Sequence, residues 1–236
     1  MLAIALAEFR MLLRNRLVAL LAVITPLAFG VVLLLNEPAG KDAGVIAVLQ
    51  AVIMVALGVY LTGTTTLAAR RQTLFLKRLR SGAVSDGAIL AALLVPLVLV
   101  SMMQVCIVLG ALAATASAPR HPWLVAVSVL AAQLMFAGFA LATASVTNSP
   151  EHAQVTTLPL FAVTLAGVIW VGTTGVSGEL GWLKLLVPGG GLAEMVALGW
   201  AGDDLGSLPG AVVPSVVWAA LAAVVGRGFF RWEPRA

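Results

Sequence analysis

Charged residues fall in clusters along this chain and leave six long stretches without any. The uncharged windows run over 17–36, 43–69, 87–119, 121–150, 152–178 and 205–226, which are 20, 27, 33, 30, 27 and 22 residues long. About 20 helical residues cross the ~30 Å hydrocarbon layer of a bilayer, and a charge at a helix centre there costs roughly 2.5 to 3.5 kcal/mol. The pattern predicts an all-α integral membrane protein with six transmembrane helices, at about 17–35, 45–68, 88–114, 123–146, 153–171 and 211–225. Ahead of the first, Leu2, Leu6, Phe9 and Leu13 recur at helical spacing, with Glu8, Arg10, Arg14 and Arg16 off the stripe. That arrangement predicts a helix over 2–15 lying in the membrane interface, apolar face down.

Between the fifth and sixth windows the pattern changes. Residues 172–206 are rich in glycine and carry two apolar pieces, 180–187 and 192–200, separated by Pro188, Gly189, Gly190 and Gly191. Neither piece is long enough to cross. They are expected to form a short re-entrant pair that dips into the outer leaflet, with Trp182 and Trp200 near the interface. Glu179 and Glu194 belong to this segment, and its glycines are tolerable at depth only against protein or a watery cavity.

Composition fits: 61% of residues are hydrophobic and 10% charged, with a mean hydropathy of +1.07, against ~25% charged in soluble domains. Placing the N-terminus in the cytoplasm puts Arg10, Arg14, Arg16, Arg70, Arg71, Lys77, Arg78, Arg80, Arg227, Arg231 and Arg235 inside, and only Lys41, Arg120 and Lys184 outside. This asymmetry predicts a multi-pass protein of the cell membrane with both termini cytoplasmic. Its net charge of +4 then marks a rim facing anionic lipid and not a nucleic-acid surface. The first window exceeds a signal-peptide core and is expected to persist as a span. Cys106, the single cysteine, lies within the third window and is expected to serve packing.

The longest polar interruption in the first half is the stretch 69–86. On a continuous helix its five basic residues fall on one arc, with Phe75, Leu76 and Leu79 on the opposite one. The stretch reads either as a loop that fixes topology or as a short amphipathic docking helix that stops at Ser81-Gly82. In the turn at 148–152, Ser149 is expected to cap the fifth span, with Pro150 at its first position.

Catalytic chemistry has no visible carrier. The sequence holds no GxSxG or HExxH motif, and its two histidines, His121 and His152, are assigned to opposite membrane faces. Apart from their terminal positions the windows hold no carboxylate or base of the kind ion-driven carriers use, and Gly189 to Gly191 lead into Leu192-Ala193 instead of the Lys-Ser/Thr of a phosphate-binding loop. The chain is therefore expected to be neither an enzyme nor a binder of its own cofactor. Uphill transport would need energy from another polypeptide. Thr62, Thr65, Gln104 and Gln133 are uncharged polar groups within spans, which either join helices or face a path.

At this point the chain resembles the membrane subunits of type 2 ABC transporters, the permeases of drug and polysaccharide exporters. The resemblance rests on the order and spacing of FRMLLRNR, the kinked TPLAFGVVLLL, LFLKRLRSGAVS, the third span with Gln104, and PGGGLAEMVALGW before the last span. It implies a permease paired with a second copy or a homologous permease, docked to ABC ATPase subunits that bind ATP and magnesium. Its coupling helix maps to about 71–82, with Phe75, Leu76, Lys77, Arg78, Leu79, Arg80, Ser81 and Gly82, and its re-entrant helices to about 179–200. The family often carries acidic residues where Ala69, Arg70 and Arg71 stand. An apolar path suits an amphipathic or lipid-like substrate among membrane lipid. The alternative of another class is a stand-alone membrane binding or scaffold subunit, such as a haem-export assembly protein or the substrate-capturing component of another transporter. All 236 residues read as one membrane domain.

Overall fold

Thirty helical residues, Ala43–Gln72, form the most enclosed span of the protein, with 78% of their most apolar window buried. The computed structural model describes residues 20–35, 43–75, 85–202, 204–230 and 232. The interfacial helix expected over 2–15, and Leu76, Lys77, Arg78, Leu79, Arg80, Ser81 and Gly82, lie outside the described residues.

Among the described residues the structure is helical throughout, with no strand. A π-helical turn, Leu20–Ile24, leads into α1, Thr25–Leu35. The central helix Ala43–Gln72 is α2, with a π-helical stretch at Ala56–Leu61. Then follow α3 (Asp86–Thr115), α4 (Pro122–Val146), α5 (Pro150–Thr174), the short α6 (Gly181–Leu186) and α7 (Gly190–Ala201), and α8 (Leu208–Phe229). Helices α2, α3, α4, α5 and α8 are long and apolar enough to cross a membrane. The described part of the first span is apolar and helical but shorter than a crossing. Helices α2, α3, α5 and α8 extend past both expected ends by up to four residues, while α4 gains only Pro122 and ends at Val146 as expected.

Local chemistry accounts for the ends. Ser149 Oγ accepts the His152 amide at 3.3 Å and Pro150 opens α5, the cap read from the sequence. At the other end of α2, Leu74 takes a left-handed φ of 55°, and the Thr73 and Leu74 amides donate to the Ala69 and Arg71 carbonyls. The helix stops there.

The outward faces are apolar stripes. Val95, Leu99, Met103 and Ile107 on α3, and Trp123, Val127, Leu130 and Leu134 on α4, are exposed at helical spacing, as lipid-facing helices require. Cys106 is exposed on the α3 side of this surface, so the packing role expected for it does not hold. Inside, an aromatic ladder of Tyr60, Phe136, Phe139 and Trp218 joins α2, α4 and α8, with ring centroids 6.0 to 6.4 Å apart. Helices α4 and α8 touch at small residues: a Cβ on Gly138 would lie 2.7 Å from the Ala222 carbonyl carbon, and one on Gly226 would lie 2.8 Å from the Gly138 oxygen. Such residues let two backbones approach closely where no hydrophobic effect drives helices together.

Candidate functional site

Three places in the fold gather polar chemistry: the middle of the bundle, the end where α2 stops, and the opposite end where α6 and α7 turn back.

In the middle, the two π-helical stretches pack against each other. Pro26 supplies no amide to the turn before it, and the Gln104 side-chain amide donates to the Val23 carbonyl of that turn at 3.0 Å. Gln133 donates to Ser101 Oγ at 3.3 Å. Gly58, within the π-helical stretch of α2, leaves room beside Ser101 Oγ, 3.2 Å from where its Cβ would sit, and Gln104 Oε1, 3.9 Å away. The side-chain oxygens of Gln50, Gln104 and Gln133 are buried with no hydrogen-bond partner among the described residues. The threonine run bonds back along its own helix. Thr62, Thr64 and Thr65 donate to the carbonyls of Leu57, Tyr60 and Leu61 at 3.2, 2.8 and 2.9 Å. Thr62, Thr65, Gln104 and Gln133 are all buried within this one chain, where Gln104 and Gln133 join neighbouring helices and Thr62 and Thr65 bond within their own.

At the end where α2 stops, Ala22, Leu67, Ile89, Leu93, Leu94, Leu97 and Ala144 form an apolar hub, with Phe75, Phe230 and Trp232 packed against it. The hub joins the start of the first helical segment, the end of α2, the start of α3, the end of α4 and the chain after α8. Phe75 is half-buried there, with the Arg70 guanidinium 5.1 Å from its ring centroid. It packs against the chain's own hub. Arg71 is 1% exposed. Its guanidinium donates to the Ser145 carbonyl at 3.2 Å and to the Thr147 carbonyl, both at the C-terminus of α4. This corrects the single basic arc. Leu74 breaks the helix, so Arg70 and Arg71 belong to α2, and Arg71 points inward. A hydroxyl network continues from there. Thr147 Oγ1 bonds the Thr143 carbonyl at 2.7 Å and pairs with Thr156 Oγ1 at 2.8 Å, and the Tyr60 hydroxyl pairs with Thr143 Oγ1 at 3.1 Å.

At the opposite end, α6 and α7 are two short helices, as expected, but their surroundings differ. Ten of the twelve residues of α7 are buried, because it packs among α2, α4, α5 and α8. Trp200 is buried, with Nε1 3.3 Å from Ser117 Oγ, while Trp182 is exposed. Of the two, Trp182 alone suits an interfacial position. The turn at Gly189, with φ 88°, approaches Thr164 on α5 and Val52 on α2, roughly 15 Å along α5 from its Thr174 end at the helical rise per residue. Only Gly189 of the glycine run lies in the turn, with Pro188 before it. Gly190 and Gly191 begin α7, where a Cβ would strike the Lys184 carbonyl and the Ala211 carbonyl respectively. Glu194 accepts from Ser207 Oγ at 2.8 Å, and Glu179 is exposed. Lys184, 5% exposed, donates to Thr174 Oγ1 and the Gly175 carbonyl at 2.7 and 2.6 Å, with the Trp170 ring centroid 5.6 Å away. Sequence reasoning missed both buried cations, Lys184 and Arg71. Each sits on the C-terminal carbonyls of another helix, where the helix dipole favours positive charge.

Among the described residues no group of three or more His, Cys, Asp or Glu could hold a metal ion. No family model matches the chain, and no curated protein matches it either.

Proposed function

We propose that this chain is the transmembrane subunit of an ATP-binding cassette exporter, providing the substrate path and coupling it to a separate ATPase. The observation that carries the reading is the hub. The segment 76–84, with Lys77, Arg78 and Arg80, connects α2 to α3, and the ends of α2, α3, α4 and the first helical segment meet in the hub. Force applied to that segment would reach several helices at once. The five long apolar helices carry no charged residue outside their terminal turns, so energy for transport must come through such a contact. In this reading the first segment is a sixth span, both termini are cytoplasmic in the cell membrane, α6 and α7 are re-entrant from the outer side, and a second permease completes the path. Leu76 and Leu79 meet the ATPase, which binds ATP and magnesium. The cargo is amphipathic or lipid-like.

The direct test is co-purification. The wild-type chain, affinity-purified from the membranes of its native cells, is expected to bring an ATP-binding cassette subunit with it. A double replacement of Leu76 and Leu79 by Asp is expected to reduce recovery of the ATPase at least about tenfold, the ratio set by 1.4 kcal/mol, while membrane insertion is unchanged. Equal recovery would remove the loop from the coupling contact. Absence of any ATPase from the wild-type preparation would favour a stand-alone scaffold.

Orientation is tested separately with Cys106 replaced by Ser. Glu179→Cys is expected to react with an impermeant thiol reagent on whole cells, and Asn148→Cys only after the membrane is opened. Both positions are exposed in the fold, so reversed labelling would invert the orientation.

A further inference from the structure

A helix that leads into a force-bearing loop transmits displacement only if something ties its last turn to the next element. For α2 that tie is Arg71. Arg71 lies in the final turn before the Leu74 break, and both terminal nitrogens of its guanidinium hold carbonyls of Ser145 and Thr147, on the other side of the hub. A planar guanidinium holds two acceptors from two separate nitrogens in a fixed fork, where an ammonium must reach both from a single point, and its charge lies on the negative end of the α4 dipole. Beyond Thr147 the contact continues to α5 through Thr147 and Thr156, and the α4–α5 turn is short, 147–149, with its own Ser149 cap. Three helices therefore share one bonded junction at this end.

We propose that Arg71 is the positioning residue that locks the end of α2 to the α4–α5 turn, so that the last turn of α2 and the turn between α4 and α5 move as one body. The proposal rests on the exporter reading only for the origin of the force. The lock itself belongs to this chain alone.

The experiment is hydrogen exchange in lipid nanodiscs on the chain alone and on its complex with the ATPase. In the chain alone, Arg71→Gln is expected to speed exchange of the 147–153 amides at least about tenfold, because those amides open locally once the carbonyls they neighbour are released. Exchange in α7 at the far end is expected to stay as in wild type. Arg71→Lys, which keeps the charge but loses the fork, is expected to fall between, and it decides the question by itself if Arg71→Gln fails to insert. Wild-type exchange at 147–153 in both variants would overturn the lock. In the complex, magnesium ATP with vanadate is expected to change exchange at 147–153 in wild type and to leave it unchanged in Arg71→Gln. A nucleotide response that survives in Arg71→Gln would overturn the positioning role. A wild-type chain with no ATPase and no nucleotide response would sink the exporter reading while leaving the lock to be judged by the first measurement.

Discussion

Gly138→Leu is expected to disrupt the protein more than any other single replacement on the α4–α8 contact. A Cβ at this position would lie 2.7 Å from the Ala222 carbonyl carbon and 2.9 Å from its oxygen. Those are backbone atoms, which cannot rotate aside as a side chain can, so the two helices must part. Parting them separates Gly226 from Gly138 and loosens Phe139 from Trp218 across the same seam. Overpacking of this kind costs about 3 kcal/mol or more, or roughly 6 to 12 °C of melting temperature for a chain of this size. Thermal unfolding of the detergent-solubilised protein, followed by size-exclusion elution, measures the shift. Gly110→Ala supplies the control, since nothing lies within 4 Å of the added carbon and α3 should gain slightly from a better helix former. Equal melting temperatures for the two variants would show that α4 and α8 are not in close contact.

Gly191→Val is expected to act through folding, not through transport alone. Its Cβ would strike the Ala211 carbonyl and approach Ser215 Oγ to 2.6 Å on α8, so α7 could no longer settle among the spans. About 2 to 3 kcal/mol of destabilisation follows from forced displacement in a packed interior. The yield of correctly folded protein should fall with it, as read by monodisperse recovery from membranes. Normal yield and melting temperature with transport abolished would instead assign the glycine run to gating.

Much of the architecture is legible in the sequence because burying charge in a bilayer is so costly. The windows 87–119, 121–150 and 152–178 mark α3, α4 and α5, and the two pieces around Pro188-Gly189 mark α6 and α7. The Ser149-Pro150 start of α5 is equally clear, since a cap is local chemistry. What periodicity hides is anything set by a partner helix. The orientation of Arg71 depended on where α2 ends, and that is decided by Leu74, a residue whose left-handed backbone no composition rule anticipates. Trp200 is aromatic and near a helix end, which is how an interfacial residue looks in sequence. It is buried because the backbone amides of Arg120 and His121 close over the last turn of α7, donating to the Trp200 and Gly199 carbonyls. Cys106 illustrates the converse: in a helix apolar all round, neither composition nor periodicity separates the lipid face from the packed one. Gln104 and Gln133 stand out in the sequence as polar groups within spans and Gln50 does not, and only the neighbours show that each leaves its side-chain oxygen unbonded among the described residues.

The π-helical stretch at Ala56–Leu61 makes α2 behave as a shaft with a phase offset. A π turn absorbs one extra residue in an α-helix, and relaxing it to regular α-helix with that residue kept would rotate everything beyond by about 100°. Thr62 to Gln72 would turn together, and Arg71 would swing off the end of α4 although its own sequence neighbourhood were untouched. The angular setting of that junction is thus stored some ten residues away, in the middle of the membrane.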